Sequence, residues 1–213
     1  VGDAEAKTEI KPEAGKWWLD REFTVFNIGN LARKGDNTIT LKASPMKVHA
    51  EIEPVYITGD FSVKPAEKGW TIEPPVKTLT TGSWKEMGMP FYSWGVTYSK
   101  DYVIEKPEGI YFVRLKNWSG TVAEVIVNDK AAPAIAFPPY ESDITGLIKP
   151  GSNKIQVKVI GSLKNLMGPH FNNPRPGLVS PGSFRNVKSY PAGVDYQLIN
   201  YGLMEDFAVV QEK

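Results

Sequence analysis

The chain has 213 residues, 41% hydrophobic and 23% charged, and 25 Lys and Arg stand against 24 Asp and Glu for a formal charge of +1. This balance gives no basic excess to favour nucleic acid, and no run approaches the roughly 18 apolar residues of a membrane span. Cysteine is absent, which excludes disulfides and thiolate zinc sites. The first residues, VGDAEAKTEI, contain no basic segment followed by an apolar one, and read as an interior stretch of a longer or processed polypeptide.

Taken in order, the predicted elements are strands. Trp17 and Trp18 are adjacent, so in a strand they face opposite ways, and at least one is expected exposed or at a module junction. RKGDN (33–37) reads as a turn and TITLKA (38–43) as an amphipathic strand leaving it. Trp84, Tyr92, Trp94 and Trp118 lie in or beside strand-like runs, where sandwich cores commonly bury aromatics. EKPEG (105–109) then turns into YFVRLK (111–116), and TVAEVIV (121–127) ends at Asn128-Asp129, a hairpin signal. Asp143 precedes Ile-Thr-Gly-Leu, where it can cap a single helical turn. KPGSN (149–153) leads into KIQVKV (154–159), and DFAVV (206–210) is the last strand-like run. Many short alternating segments separated by Gly, Pro and Asn predict an all-β antiparallel β-sandwich of jelly-roll type.

One unit is used twice. FNIGNLARKGDNTITLKA (26–43) aligns with SDITGLIKPGSNKIQVKV (142–159) at an offset of 151 − 35 = 116. Ile28/Ile144, Leu31/Leu147, Gly35/Gly151, Asn37/Asn153, Ile39/Ile155 and Lys42/Lys158 are identical. A second match, YITGDFSV (56–63) with GLMEDFAV (202–209), has an offset of 206 − 60 = 146. The later copy has therefore gained 146 − 116 = 30 residues, most of them in GSLKNLMGPHFNNPRPGLVSPGSF (161–184). That segment reads as a long loop, stiffened by Pro169, Pro174, Pro176 and Pro181. The comparison predicts a partial β module over 1–69, either the last strands of a preceding sandwich or extra strands packed on the main one, and a complete sandwich over 70–213.

DITGLIKPGSNKIQVKV, followed at a distance by YGLMEDFAVV, resembles the galactose-binding-domain-like β-sandwich, an accessory module of many large glycoside hydrolases. GSWKEMGMPFYSWGVTYSKDYVI (82–104) is similar to that family's opening strands, and GTVAEVIVNDK to its hairpin, with Asp129 where Gly is usual. SPMKVHAEIEPVYITGDFSV and VIGSLKNLMGPH resemble C-terminal regions of large α-L-rhamnosidase-type enzymes of Bacteroidetes. The resemblance implies a periplasmic or extracellular setting and a catalytic domain elsewhere in the same polypeptide. It also implies a possible structural calcium, for which Asp101, Glu141 and Asp206 are the residue types available.

The residues themselves offer little catalytic chemistry. Glu51 with Glu53, and Glu141 with Asp143, are spaced i, i+2 on one strand face, the pattern of a solvated face more than of two carboxyls flanking a glycosidic bond. His49 and His170 have no neighbouring ligand at metal spacing. Sugar contact fits better. Asn165, His170, Asn172, Asn173 and Arg175 supply planar polar groups on the 161–184 loop, and Phe171, Trp94 and Trp118 supply stacking surfaces. The expectation is a non-catalytic carbohydrate-binding or accessory region. Its partner is a carbohydrate or the catalytic domain of the same polypeptide. A purely structural inter-domain scaffold, and a stand-alone hydrolase, are the alternatives.

Overall fold

The computed structural model describes residues 8–48, 54–171, 181–184 and 191–212. The chain divides into two compact units, 1–56 and 57–213. In the first, strands β1 (Trp17–Trp18) and β2 (Asp20–Thr24) pair antiparallel around Leu19, which takes a left-handed φ of 65°. Trp18 and Phe23 pack on Tyr56, with ring centroids 5.1 and 5.7 Å away. Trp17 is exposed, one of the two outcomes expected for the pair.

The second unit holds β3 (Ser62–Pro65), β4 (Trp70–Glu73), β5 (Gly95–Ile104), β6 (Ile110–Arg114), β7 (Trp118–Ser119) and β8 (Val122–Val127). It continues with β9 (Lys130–Ala131), β10 (Glu141–Asp143), β11 (Gly151–Ile160), β12 (Gly202–Leu203) and β13 (Ala208–Glu212). The order β5-β11-β8-β9 forms one antiparallel sheet and β10-β6-β13 another, giving an all-β antiparallel sandwich. β3 pairs with β4, so residues 62–65 and 70–73 form one hairpin across the 69/70 boundary expected from the repeat.

Period-two alternation explains the core. Ile155, Val157 and Val159 of β11 are buried, and so are Ala123, Val125 and Val127 of β8 opposite them. Val113 and Tyr111 of β6 meet this layer from the other sheet. Each fully buried Val or Ile contributes about 1.5–3 kcal/mol by leaving water. The outer face carries a charge pair: Lys158 faces Glu124 across the ladder, with Nζ to Oε2 at 3.1 Å. Trp84 is enclosed, and its indole N–H donates to the Tyr98 hydroxyl at 2.8 Å, which gives the buried donor its partner.

The turns form where the sequence places them. Asn128 and Asp129 have φ of 49° and 64°, the two left-handed positions of a two-residue hairpin between β8 and β9. Asp143 accepts from the Thr145 N–H at 2.9 Å ahead of a 3₁₀ turn, Thr145–Leu147, and the Thr145 hydrogen bonds hold its carboxyl below the usual range.

The repeat survives at the level of single hydrogen bonds. Asn153 accepts from Lys149 N–H at 2.9 Å and donates to Lys149 O at 2.8 Å and to Gly151 O at 3.0 Å. Asn37 makes the same three bonds, to Arg33 N–H at 3.0 Å, Arg33 O at 2.7 Å and Gly35 O at 2.9 Å. Gly35 and Gly151 have φ of 94° and 86°, a region that favours glycine. The likeness stops after the turn. β11 is a central strand, whereas TITLKA (38–43), expected as a strand, forms no ladder and is exposed throughout. An amphipathic segment needs a neighbouring strand to close its backbone hydrogen bonds, and the described residues of 1–56 supply none there.

Candidate functional site

Part of the 161–184 segment is ordered by helix and turn, contrary to the expectation of an irregular loop. Residues Lys164–Met167 form one α-helical turn, and Pro181–Phe184 a 3₁₀ turn. Asn165 sits on that helical turn and is buried. Its Nδ2 donates to Pro90 O at 2.9 Å and to Ile199 O at 2.8 Å, and its Oδ1 accepts from Ile199 N–H at 2.8 Å. Both amide hydrogens are used within the protein, so Asn165 fastens the base of the loop.

His170 is also drawn inward. Its Nε2 lies 2.7 Å from Asn165 O, and its ring stacks on Tyr196 with centroids 5.1 Å apart and 19° between planes. Burial pushes its pKa below the usual value, a fall opposed by the Asn165 carbonyl and helped by Lys164. Burial likewise pushes the Lys164 pKa down, and its Nζ donates to Pro169 O at 2.7 Å.

Behind Tyr196 the aromatic contacts continue. Trp70 meets Phe91 edge-on at 5.1 Å and Tyr196 at 5.7 Å, and Phe91 meets His170 at 5.7 Å. Four rings from four separate stretches thus brace one another. Trp70 and Tyr196 form part of the wall of an open cleft of about 420 Å³. Lys64, Lys85, Glu86 and Val194 complete the parts of the wall that carry charge or exposed apolar surface. Lys64 is ion-paired with Glu73, and Lys85 lies 3.4 Å from Glu86.

One wall is a strap that returns after the loop. Gly193 N–H donates to Ala66 O at 2.9 Å, and Gly69 bridges to Ala192, so residues 191–193 lie against the tip of the β3–β4 hairpin. A Cβ on Gly193 would run into Gly69 O and come within 2.7 Å of Pro65 Cα, so only glycine permits this approach. Gln197 N–H donates to His170 O at 2.9 Å, joining the strap to the start of the loop.

Those of the expected residues that are described fall in different surroundings. His170 supports the cleft from behind, and Phe171 follows it half-buried. Asn172, Asn173 and Arg175 lie outside the described residues, as do His49, Glu51 and Glu53. Trp94 is 72% exposed and Trp118 packs edge-on against Tyr140 at 5.6 Å; neither is among the described lining of the cleft. The three calcium candidates are not gathered. Glu141 is bonded to Arg114 at 2.8 Å, Asp206 to Lys100 at 2.7 Å, and Asp101 is exposed on β5. Among the described residues no three His, Cys, Asp or Glu side chains converge as a metal group.

Trp70, Phe91 and Tyr196 were missed by sequence reasoning. Their only signals were local: Trp70 follows the turn glycine Gly69, and Tyr196 stands just beyond the inserted segment.

No protein-family model and no curated protein matches the chain. Among solved structures, the chain is similar to a rhamnosidase from Novosphingobium sp. PP1Y, with 18% identity, a TM-score of 0.43, and coverage of 78% of this chain and 16% of that one. It is similar to an FMN-binding beta-glucuronidase from Facaelibacterium prausnitzii L2-6, with 19% identity, a TM-score of 0.34, and coverage of 71% and 22%. It is also similar to a beta-D-mannosidase from Dictyoglomus thermophilum, with 16% identity, a TM-score of 0.35, and coverage of 75% and 23%. The chain spans less than a quarter of the length of each of these three proteins.

Proposed function

We propose that this chain is a non-catalytic β-sandwich region that contacts carbohydrate through the cleft between Trp70 and Tyr196. In this reading it serves as an accessory part of an exported glycoside hydrolase-like polypeptide. The observation that carries the proposal is the braced aromatic wall beside paired charges. Sugars offer apolar C–H faces to rings and hydroxyls to charged or planar groups, and this cleft presents both. Its volume, about 420 Å³, lies in the range of small-ligand sites and suits one or two sugar residues. The association with glycoside hydrolases is supported by the residue patterns of 142–159 and 202–210.

The charged groups suit hydroxyl contact: Lys64 pairs with Glu73 and Lys85 with Glu86, and each such pair offers both donors and acceptors. The test is calorimetric titration of the chain with a panel of plant and host oligosaccharides, repeated on Tyr196→Ala with its fold checked by circular dichroism. Binding by the wild type, weakened tenfold or more in the variant, supports the reading. Absence of binding across the panel removes it.

A scaffold reading is favoured by other residues. Trp94 and Phe137 are 72% and 80% exposed, and large exposed apolar side chains suit a docking surface for another domain. Under that reading, Trp94→Ser leaves sugar titrations blank and weakens association with the catalytic domain.

A further inference from the structure

The two copies of the repeat differ in one respect that has a physical meaning. In the second copy the inward-facing positions from the end of the turn are enclosed: Asn153, Ile155, Val157 and Val159 are fully buried. In the first copy the matching Asn37 and Ala43 are exposed, Ile39 is 46% exposed and Leu41 64%. The turn that launches the strand is nevertheless built with the same three asparagine hydrogen bonds. The entry matches as well: Gly29 N–H donates to Asn27 Oδ1 at 3.0 Å, as Thr145 N–H does to Asp143.

We propose that residues 37–43 are an open strand slot that takes a β-hairpin from another polypeptide segment, with one carboxylate set to face Lys42, in the antiparallel register seen for β8 on β11. The occupied copy specifies the occupant. Opposite Ile155, Val157 and Val159 stand Val127, Val125 and Ala123, so the occupant presents small or β-branched apolar residues to Ile39, Leu41 and Ala43. Lys158 is paired with Glu124, and Lys42 is its identical counterpart, so the occupant carries a carboxylate facing Lys42.

The hairpin turn adds a further contact. Asn128 Nδ2 donates to Leu147 O at 3.1 Å and to Asn153 Oδ1 at 2.9 Å, and Asn128 Oδ1 accepts from Lys154 N–H at 3.1 Å. The equivalent groups in the slot are Leu31 O, Asn37 Oδ1 and the Thr38 N–H, which call for an asparagine at the occupant's turn. A second copy of this chain does not supply the hairpin, because its β8 lies between β11 and β9 with its apolar face buried.

The test is amide hydrogen exchange at residues 38–43 in the intact chain. The probe is the peptide of residues 119–133, SGTVAEVIVNDKAAP, added free and also fused through a Gly/Ser linker, which raises its effective concentration to the millimolar range. The account expects rapid exchange in the chain alone and at least tenfold slowing with the probe. It expects this slowing to be lost when the probe carries Glu124→Lys and Asn128→Ala. Three outcomes overturn it: no slowing with either the free or the fused probe, equal slowing by the altered probe, or protection already present in the chain alone.

Discussion

His170 lies flat against Tyr196, with ring centroids 5.1 Å apart, and this stack ties the start of the inserted loop to the wall of the cleft. Phe91 meets both rings edge-on, and the His170 carbonyl accepts from Gln197. The loop is thus fixed at its base by contacts that also set the position of a candidate ligand surface.

The stack has a pH consequence. Burial depresses the His170 pKa below its unfolded value of 6.5, so the folded protein prefers the neutral ring. Above pH 6.5 neither state is protonated there and stability is unaffected. As pH falls below 6.5 the unfolded chain takes up a proton that the folded chain resists, so stability falls until the folded pKa is passed. Thermal melts from pH 7.5 to 5 should show this slope in the wild type and a shallower one in His170→Gln.

Asn165→Ala removes a buried carboxamide that joins the helical turn to Pro90 and Ile199. It leaves two carbonyls and one N–H without their partner, at about 1–3 kcal/mol for each group that stays dry. A loss of about 3 kcal/mol in urea unfolding is expected, with Asn165→Asp at least as damaging because it introduces a charge.

The paired asparagines predict an asymmetry. Asn153→Ala should cost about 2–4 kcal/mol, because the carboxamide is fully buried and its loss orphans the Lys149 and Gly151 groups. Asn37→Ala, at an exposed turn with the same bonds, should cost under about 1 kcal/mol, since water replaces the side chain. Equilibrium denaturation of the two variants distinguishes these values.

Gly193→Ala should displace the strap from the β3–β4 hairpin, because the added Cβ meets the backbone of Gly69 and Pro65. Overpacking of this kind costs about 1–3 kcal/mol. Slower-exchanging amides at Gly69 and Gly193 in the wild type should exchange faster in the variant, and any sugar affinity of the cleft should fall with them.

The sandwich was legible because its signals are local. Alternation marked β6, β8, β11 and β13, and Asn128-Asp129 marked the hairpin, each within a few residues of chain. The repeat gave the Asn37 and Asn153 turns for the same reason. TITLKA misled because pattern reports a preference for pairing and not the presence of a partner. The site was harder to read. Trp70 and Tyr196 are 196 − 70 = 126 residues apart, and nothing in either neighbourhood announces their contact. Nor does the sequence show that the Asn165 amide hydrogens are already used, because their acceptors Pro90 and Ile199 lie far along the chain.

The central claim is that the cleft at Trp70 and Tyr196 binds carbohydrate. The most direct measurement is isothermal titration of the intact chain with the oligosaccharide panel, set beside Tyr196→Ala. The account predicts saturable binding by the wild type and at least a tenfold loss in the variant, while circular dichroism shows that the sandwich persists. A wild type that binds no sugar, or a folded variant that binds as well as the wild type, would contradict it.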